Sequence, residues 1–142
     1  MSSGTHVKVS GTESWFEQSI TARQHKLPAD EPLEFGGTDQ GPTPYELFLG
    51  ALGSCIAITV RMYAKRKDWP LSDVQVELTH RKTHARDCED CESTSGYVDV
   101  IEKHVEVSGD LTEEQIARLK EIAGKCPVHR TLEGEIKILS KD

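Results

Sequence analysis

The sequence predicts an α+β fold in which antiparallel strands are grouped before and after a long apolar helix. Three observations carry that expectation. Several short segments alternate apolar and polar residues with the period of two that belongs to strands. One long segment is apolar on nearly every side and carries helix-start signals. The elements come in the order strands, helix, two strands, helix, strand, which is not the alternating βαβ order of a parallel sheet. With 142 residues, the chain suits one domain that buries a real core.

N-terminal strands are expected over about residues 5–35. In "THVKVSG" Val7 and Val9 alternate. "WFEQSITARQHKL" puts Phe16, Gln18, Ile20, Ala22 and Gln24 on one face and Glu17, Thr21, Arg23 and His25 on the other, a hairpin pattern. "LPADEPLEFGGTDQGPTP" is rich in Pro, Gly and Asp and reads as a long loop. A central helix follows over about 44–67. Thr43 is a good N-cap, Pro44 fits the first helical position, and Glu46 completes a Thr-x-x-Glu capping box. Leu47, Phe48, Leu49, Leu52, Ile56, Ile58 and Val60 surround its axis, the pattern of a buried helix. Arg61, Lys65, Arg66 and Lys67 suit its C-terminal end, where the helix dipole favours cations.

A strand hairpin is expected over about 73–108. Val74, Val76 and Leu78 alternate on its first arm, Ile101, Val105 and Val107 on its second, and "DCEDCESTSG" forms the turn. A second helix spans about 112–124, with Thr112 and Gln115 as a capping box, Ile116, Leu119, Ile122 and Ala123 as its apolar stripe, and Gly124 as its stop. A Cys-Pro turn and a final strand, "GEIKILS", complete the chain over 126–140.

The composition narrows the function. The net charge of −7 argues against a nucleic-acid or anionic-membrane partner, since both need a basic face. "MSSGTHVKVSG" lacks the pattern of a signal peptide, and the charge-free part of the longest apolar stretch, about 45–63, is too short for a membrane span. The expected location is therefore cytoplasmic. There, four cysteines are expected to be reduced, reactive or metal-bound rather than structural disulfides. A Gly-rich phosphate loop, a Ser-His-Asp arrangement and a paired-carboxylate pattern do not rise above background, and "EFGGTDQGP" lacks the strand, helix and Lys of a P-loop.

"IAGKCPVHR" places Cys126 before a proline. Proline at a first helical position makes Cys126 an N-cap, facing unpaired backbone N–H groups and the positive end of a helix dipole. Both favour thiolate, and Lys125, His129 and Arg130 add positive charge. The alternative is a buried structural thiol. Cys55 lies inside the central helix, in "GALGSCIA". Gly50, Gly53 or Ser54, and Ala57 form a small-residue stripe there, which suggests that another backbone approaches closely. A second helix carrying Cys126 could then come within disulfide reach. The alternative is that Cys55 is a small core residue.

"GPTPYELFLGALGSC" followed much later by "KCPVHR" resembles the OsmC/Ohr family of thiol-dependent peroxidases, over roughly residue 23 to the C-terminus. The resemblance implies a single OsmC-like domain and an intertwined homodimer, with two central helices between sheets and the sites at the interface. It implies a cofactor-free mechanism in which Cys55 attacks the peroxide O–O bond as the thiolate. Cys126 then resolves the sulfenic acid as an intramolecular disulfide, which a dithiol or dithiol protein reduces. Organic-hydroperoxide members activate the first thiol with an Arg, held by a Glu directly after the helix-entry Pro. That Glu position is Tyr45 here, which supplies no carboxylate charge. Arg23 in "ITARQH" is the best match to the Arg. The sequence resembles the "PYEL" branch of the family.

"THRKTHARDCEDCE" holds a second set, His80, His84, Cys88 and Cys91. Cys-x-x-Cys is a common half of a zinc site, and His80 and His84 share a strand face. Asp87, Glu89 and Asp90 raise thiol pKa values but tolerate a cation. Three readings stay open: a hairpin tip without an essential role, a metal site, or a second redox pair. His6 and His104 read as surface residues. Two rivals to the peroxidase reading therefore stand. One is a ligand-binding protein with an apolar dimer cleft. The other is a zinc-stabilised domain that uses Cys88 and Cys91.

Overall fold

A computed structural model describes residues 4–88, 91–93 and 95–141. The chain groups into two compact units, residues 1–48 and 49–142.

In the first unit the N-terminal alternation folds as a three-stranded antiparallel meander, β1 (Lys8–Gly11), β2 (Gln18–Ala22) and β3 (His25–Ala29), in the order β1-β2-β3. Val9, Ile20 and Leu27 lie side by side across it. Ala22 pairs with His25, so Arg23 and Gln24 form a two-residue turn, and Arg23 takes a left-handed φ of 56°. The face alternation expected to continue through Arg23 and Gln24 therefore stops at Ala22. Its neighbours prefer the pleat, but the chain reverses there without the Gly or Asn that usually marks such a turn.

The Pro/Gly/Asp-rich loop is organised around one buried carboxylate. Asp30 is 2% exposed and accepts hydrogen bonds from the Thr38 hydroxyl at 2.7 Å, the Glu31 N–H at 2.8 Å and the Gln40 N–H at 3.0 Å. Burial opposes its charge. The hydrogen bond from the Thr38 hydroxyl and those from backbone N–H groups outweigh burial and hold the carboxyl below its usual pKa. The Asp30 N–H in turn donates to Pro42 O at 3.1 Å.

Helix α1 (Pro44–Lys67) begins as its sequence demands. The Thr43 N–H donates to Glu46 Oε1 at 2.8 Å, and the Glu46 N–H donates to Thr43 Oγ1 at 3.1 Å. Lys65, Arg66 and Lys67 occupy its last turn.

In the second unit β4 (Leu71–His84) and β5 (Tyr97–Gly109) form a long antiparallel hairpin. The register pairs Val74 with Val107 and Val76 with Val105, so the apolar alternation of both arms meets on one face. That face turns polar towards the tip, where Lys82 pairs with Asp99 and His84 with Tyr97. Gly109 takes a φ of 138°, and a Cβ there would run into the Pro70 carbonyl, so this position needs glycine. Helix α2 (Glu113–Ala123) starts with the Thr112–Gln115 capping box, and α3 (Pro127–Glu133) starts at Cys126. Leu52, Ile56, Val60 and Ala64 of α1 pack with Leu119, Ala123 and Cys126, and the valines of β4 and β5 close over them. Arg118 Nε donates to the Tyr63 hydroxyl at 3.1 Å, tying α2 to α1.

Three expectations change. Helix α1 buries one stripe in the single chain, Leu52, Ile56, Val60 and Ala64, while Ile58 and Met62 are 57% and 63% exposed. By length and composition α1 could cross a membrane, with a mean hydropathy of 1.6 over its best window, so the apolar run is longer than the sequence reading allowed. Its packed stripe makes it a core helix of this fold. The final strand does not form within the chain. Residues 135–141 form no strand, Ile138 is 93% exposed, and neither sheet takes "GEIKILS" onto an edge.

Candidate active site

Cys55 and Cys126 meet inside the second unit. Cys55 is half-buried on α1, one residue before the fully buried Ile56, and it packs against the cluster that contains Cys126. Cys126 is 0% exposed, and both cysteines are free thiols. The local sequence explains the placement of Cys126. α2 stops at Gly124, Pro127 starts α3, and the residue directly before the proline, Cys126, caps the new helix. Its Sγ accepts the His129 N–H at 3.2 Å, as an N-cap should.

Electrostatically the cap does not win. Burial pushes the Cys126 pKa above the ordinary thiol value. The His129 N–H pulls it down, and a hydrogen bond with the Cys55 side chain pushes it up again. The sequence reading expected the helix N-terminus and nearby cations to favour thiolate at Cys126. The structure corrects that, because complete burial is the largest influence. Burial holds Cys126 as a neutral S–H, with Cys55 packed against the same cluster.

The small-residue stripe faces something other than a backbone. A Cβ on Gly53 would lie 3.0 Å from the Leu78 side chain, and one on Gly50 would meet nothing within 4 Å. The thiols instead come together through the neighbouring apolar stripe of α1, on which Leu119, Ala123 and Cys126 pack.

Beside the thiols lies a cavity of about 320 Å³, lined by Leu52, Ile101 and Leu132 with Asp99, Lys103, His129 and Glu133. Leu52 is one helical turn before Cys55, and His129 is the residue that bonds Cys126. The His129 ring pairs through Nε2 with Glu133 at 3.1 Å, and its buried Nδ1 has no hydrogen-bond partner among the described residues. The sequence reading took His129 only as a source of charge. Its position three residues after Cys126, in the first turn of α3, was the available signal for the bond to Sγ.

Tyr45 stands in the first turn of α1, exposed, with its ring edge-to-face on Phe48 at 6.4 Å. Glu46 is committed to the capping box. Arg23 lies in its exposed turn in the first unit, where Nη1 reaches Gln24 Oε1 at 3.4 Å.

The other cysteines are joined to each other. Cys88 and Cys91 form a disulfide, with Cα atoms 5.5 Å apart. In that state neither supplies a thiolate to a metal, and the histidines expected to complete a zinc site are engaged elsewhere. The His80 ring bonds Asp99 at 2.8 Å, and His84 stacks on Tyr97 at 4.3 Å. Among the described residues no group of three or more His, Cys, Asp or Glu is placed to hold a metal ion. Glu89 and Asp90, expected beside these thiols, lie outside the described residues.

Comparison with known proteins agrees with this fold. The model of the family described as OsmC-like protein matches residues 37–141. An OsmC-like protein of Mycoplasma pneumoniae superposes with a TM-score of 0.69 at 21% identity, covering 94% of this chain and 90% of its own. An organic hydroperoxide resistance protein, OsmC, of Legionella pneumophila gives 0.64 at 20% identity, covering 92% and 90%. An organic hydroperoxide resistance protein of Elizabethkingia anophelis with bound thiocyanate gives 0.65 at 17% identity, covering 96% and 93%. No curated protein matches the chain significantly. With a family model matching most of its length and an α+β architecture shared with those structures, the chain belongs to the OsmC-like protein family.

Proposed function

We propose that this protein is a cysteine-based peroxidase that reduces organic or hydrogen peroxides in the cytoplasm. The observation that carries the reading is the packing of the half-buried free thiol of Cys55 against the buried cluster that holds the free thiol of Cys126. Cys55 thiolate attacks the terminal peroxide oxygen. The O–O bond breaks, Cys55 becomes a sulfenic acid, and the departing alkoxide or hydroxide takes a proton from solvent. Cys126 then attacks the sulfenic sulfur, a disulfide forms, and water departs. An external dithiol returns two electrons and two protons by thiol–disulfide exchange. The apolar floor of the adjacent cavity suits the organic part of an alkyl hydroperoxide. Organic hydroperoxide resistance among the structural neighbours supports the same substrate class.

Arg23 is the candidate for activating Cys55, and Tyr45 stands where organic-hydroperoxide members carry the Glu that holds that arginine. The working form in this reading is a homodimer, because Ile58 and Met62 of α1 are exposed apolar side chains in a single chain. The cavity also favours a second reading, a carrier of small apolar ligands, since neither cysteine lines it.

Peroxide consumption with excess dithiol separates the two readings. Cumene hydroperoxide and hydrogen peroxide are supplied in parallel to wild type, Cys55→Ser and Cys126→Ser. Turnover should vanish in Cys55→Ser and stall in Cys126→Ser with Cys55 oxidised or in a mixed disulfide. Turnover retained by Cys55→Ser would remove the chemistry from that thiol and leave the carrier reading.

A further inference from the structure

We propose that Cys88 and Cys91 form a second thiol–disulfide centre, independent of Cys55 and Cys126, that exchanges electrons with an external dithiol. The two are bonded to each other at the tip of the β4–β5 hairpin, and neither is fully buried. The bond does little that a structural staple does. It closes a loop with a sequence separation of only 3, so it constrains the unfolded chain little. The tip is already fastened without it. The Ala85 N–H donates to Gly96 O at 2.9 Å, and His84 stacks on Tyr97. Below these, the two arms pair continuously from Asp73↔Ser108 to His84↔Tyr97. A short-range disulfide that links no separate segments and is only half-buried is the kind that exchanges.

The centre stands apart from the first thiol pair. Leu78 lies against Gly53, two residues before Cys55, and His84 is six residues further along an extended strand. Asp99, which lines the cavity beside the thiols, pairs with Lys82, and the arms run on past that pair to His84 and Tyr97 before the tip begins. The tip pair is closed on itself while Cys55 and Cys126 are free thiols, so the electron donor in this proposal is an external dithiol. The stretch from 86 to 92 carries Arg86 against Asp87, Glu89, Asp90 and Glu92, a net charge of −3. That charge repels anionic monothiols and suits a neutral small dithiol or a protein dithiol with a basic face.

The step balances as two-electron exchange. One thiolate of the external dithiol attacks Cys88 or Cys91. The intramolecular S–S bond breaks, a mixed disulfide forms, and the leaving thiolate takes a proton. The second thiol of the reductant then displaces the second tip thiol. The products are a reduced tip and an oxidised reductant.

The test uses Cys55→Ser/Cys126→Ser protein, so its result is separate from the peroxidase reading. Native protein is equilibrated in mixtures of reduced and oxidised dithiothreitol, acid-quenched, alkylated and weighed. The expected result is interconversion between zero and two alkylated thiols, with the same midpoint reached from either side and an unchanged thermal midpoint. Failure of excess reduced dithiothreitol to open the bond would overturn the proposal, as would absence of the bond at every ratio. A fall of the thermal midpoint by more than a few degrees on reduction would identify a structural staple and also overturn it. Cys88→Ser added to the double variant should abolish the two-thiol transition; a transition that persists would place the exchange elsewhere and count against the assignment.

Discussion

Ile56 is the residue whose truncation most directly tests how α1 is seated. It is 0% exposed and sits in the buried cluster with Leu119, Ala123 and Cys126. Ile56→Ala removes three carbon atoms from this packing. At about 0.8 kcal/mol per buried methylene the transfer loss alone is about 2.4 kcal/mol. The cavity left behind raises the expected loss into the range of about 2–5 kcal/mol. An unfolding entropy of about 2.1 cal/mol/K per residue makes about 0.3 kcal/mol/K for this chain, so the melting temperature should fall by about 7–17 °C. Differential scanning calorimetry and urea unfolding monitored by circular dichroism would measure it. A loss under about 1 kcal/mol, with the urea dependence unchanged, would mean that this face of α1 is not packed as described.

Three further outcomes follow from individual groups. The Asp30 carboxyl is held below its usual pKa, so its contribution to stability is fully present above the unfolded value of about 3.9 and is lost as pH falls through the native value; Asp30→Asn should lower the melting temperature at neutral pH and flatten the acid side of the stability profile, and a profile identical to wild type would contradict this. Cys126 is shifted the other way, so the native state keeps a proton that the unfolded chain loses above about 8.5. Stability should therefore drop as pH rises through the thiol range, with a slope smaller in Cys126→Ala, and equal slopes would refute the raised pKa. If the proposed homodimer packs through this face of α1, Ile58→Lys with Met62→Lys should lower the sedimentation coefficient from a dimer's to a monomer's, and a coefficient equal to wild type's would remove α1 from the proposed interface.

The elements that read plainly in the sequence are those specified by local chemistry. Thr43 with Glu46, and Thr112 with Gln115, start helices because the reciprocal bonds span only three residues. The β4–β5 register follows from valines spaced by two on both arms. The Cys126 N-cap is legible from Pro127, and its nearness to Cys55 is suggested by the small-residue stripe of the central helix and implied by family resemblance. What stayed hidden depends on the rest of the fold. The Arg23–Gln24 turn carries no glycine or asparagine to announce it. The role of Asp30 needs donors from residues 31, 38 and 40, which only the folded loop brings together. The neutral state of Cys126 depends on complete burial, which a nine-residue motif does not encode. Cys-x-x-Cys spacing serves a metal or a disulfide equally well, and the engagement of His80 with Asp99 and of His84 with Tyr97 was invisible before the register was known.

The most direct measurement is a peptide map after stoichiometric oxidation. Fully reduced wild-type protein receives one equivalent of cumene hydroperoxide, is quenched in acid, alkylated, and digested without reduction. If Cys55 and Cys126 are the peroxide-reactive pair, a cross-linked peptide joining them appears, with loss of two alkylatable thiols. If Cys126 stays alkylatable while Cys55 accumulates as sulfenic acid, or if neither thiol is consumed, the two cysteines are not a redox pair and the peroxidase assignment fails.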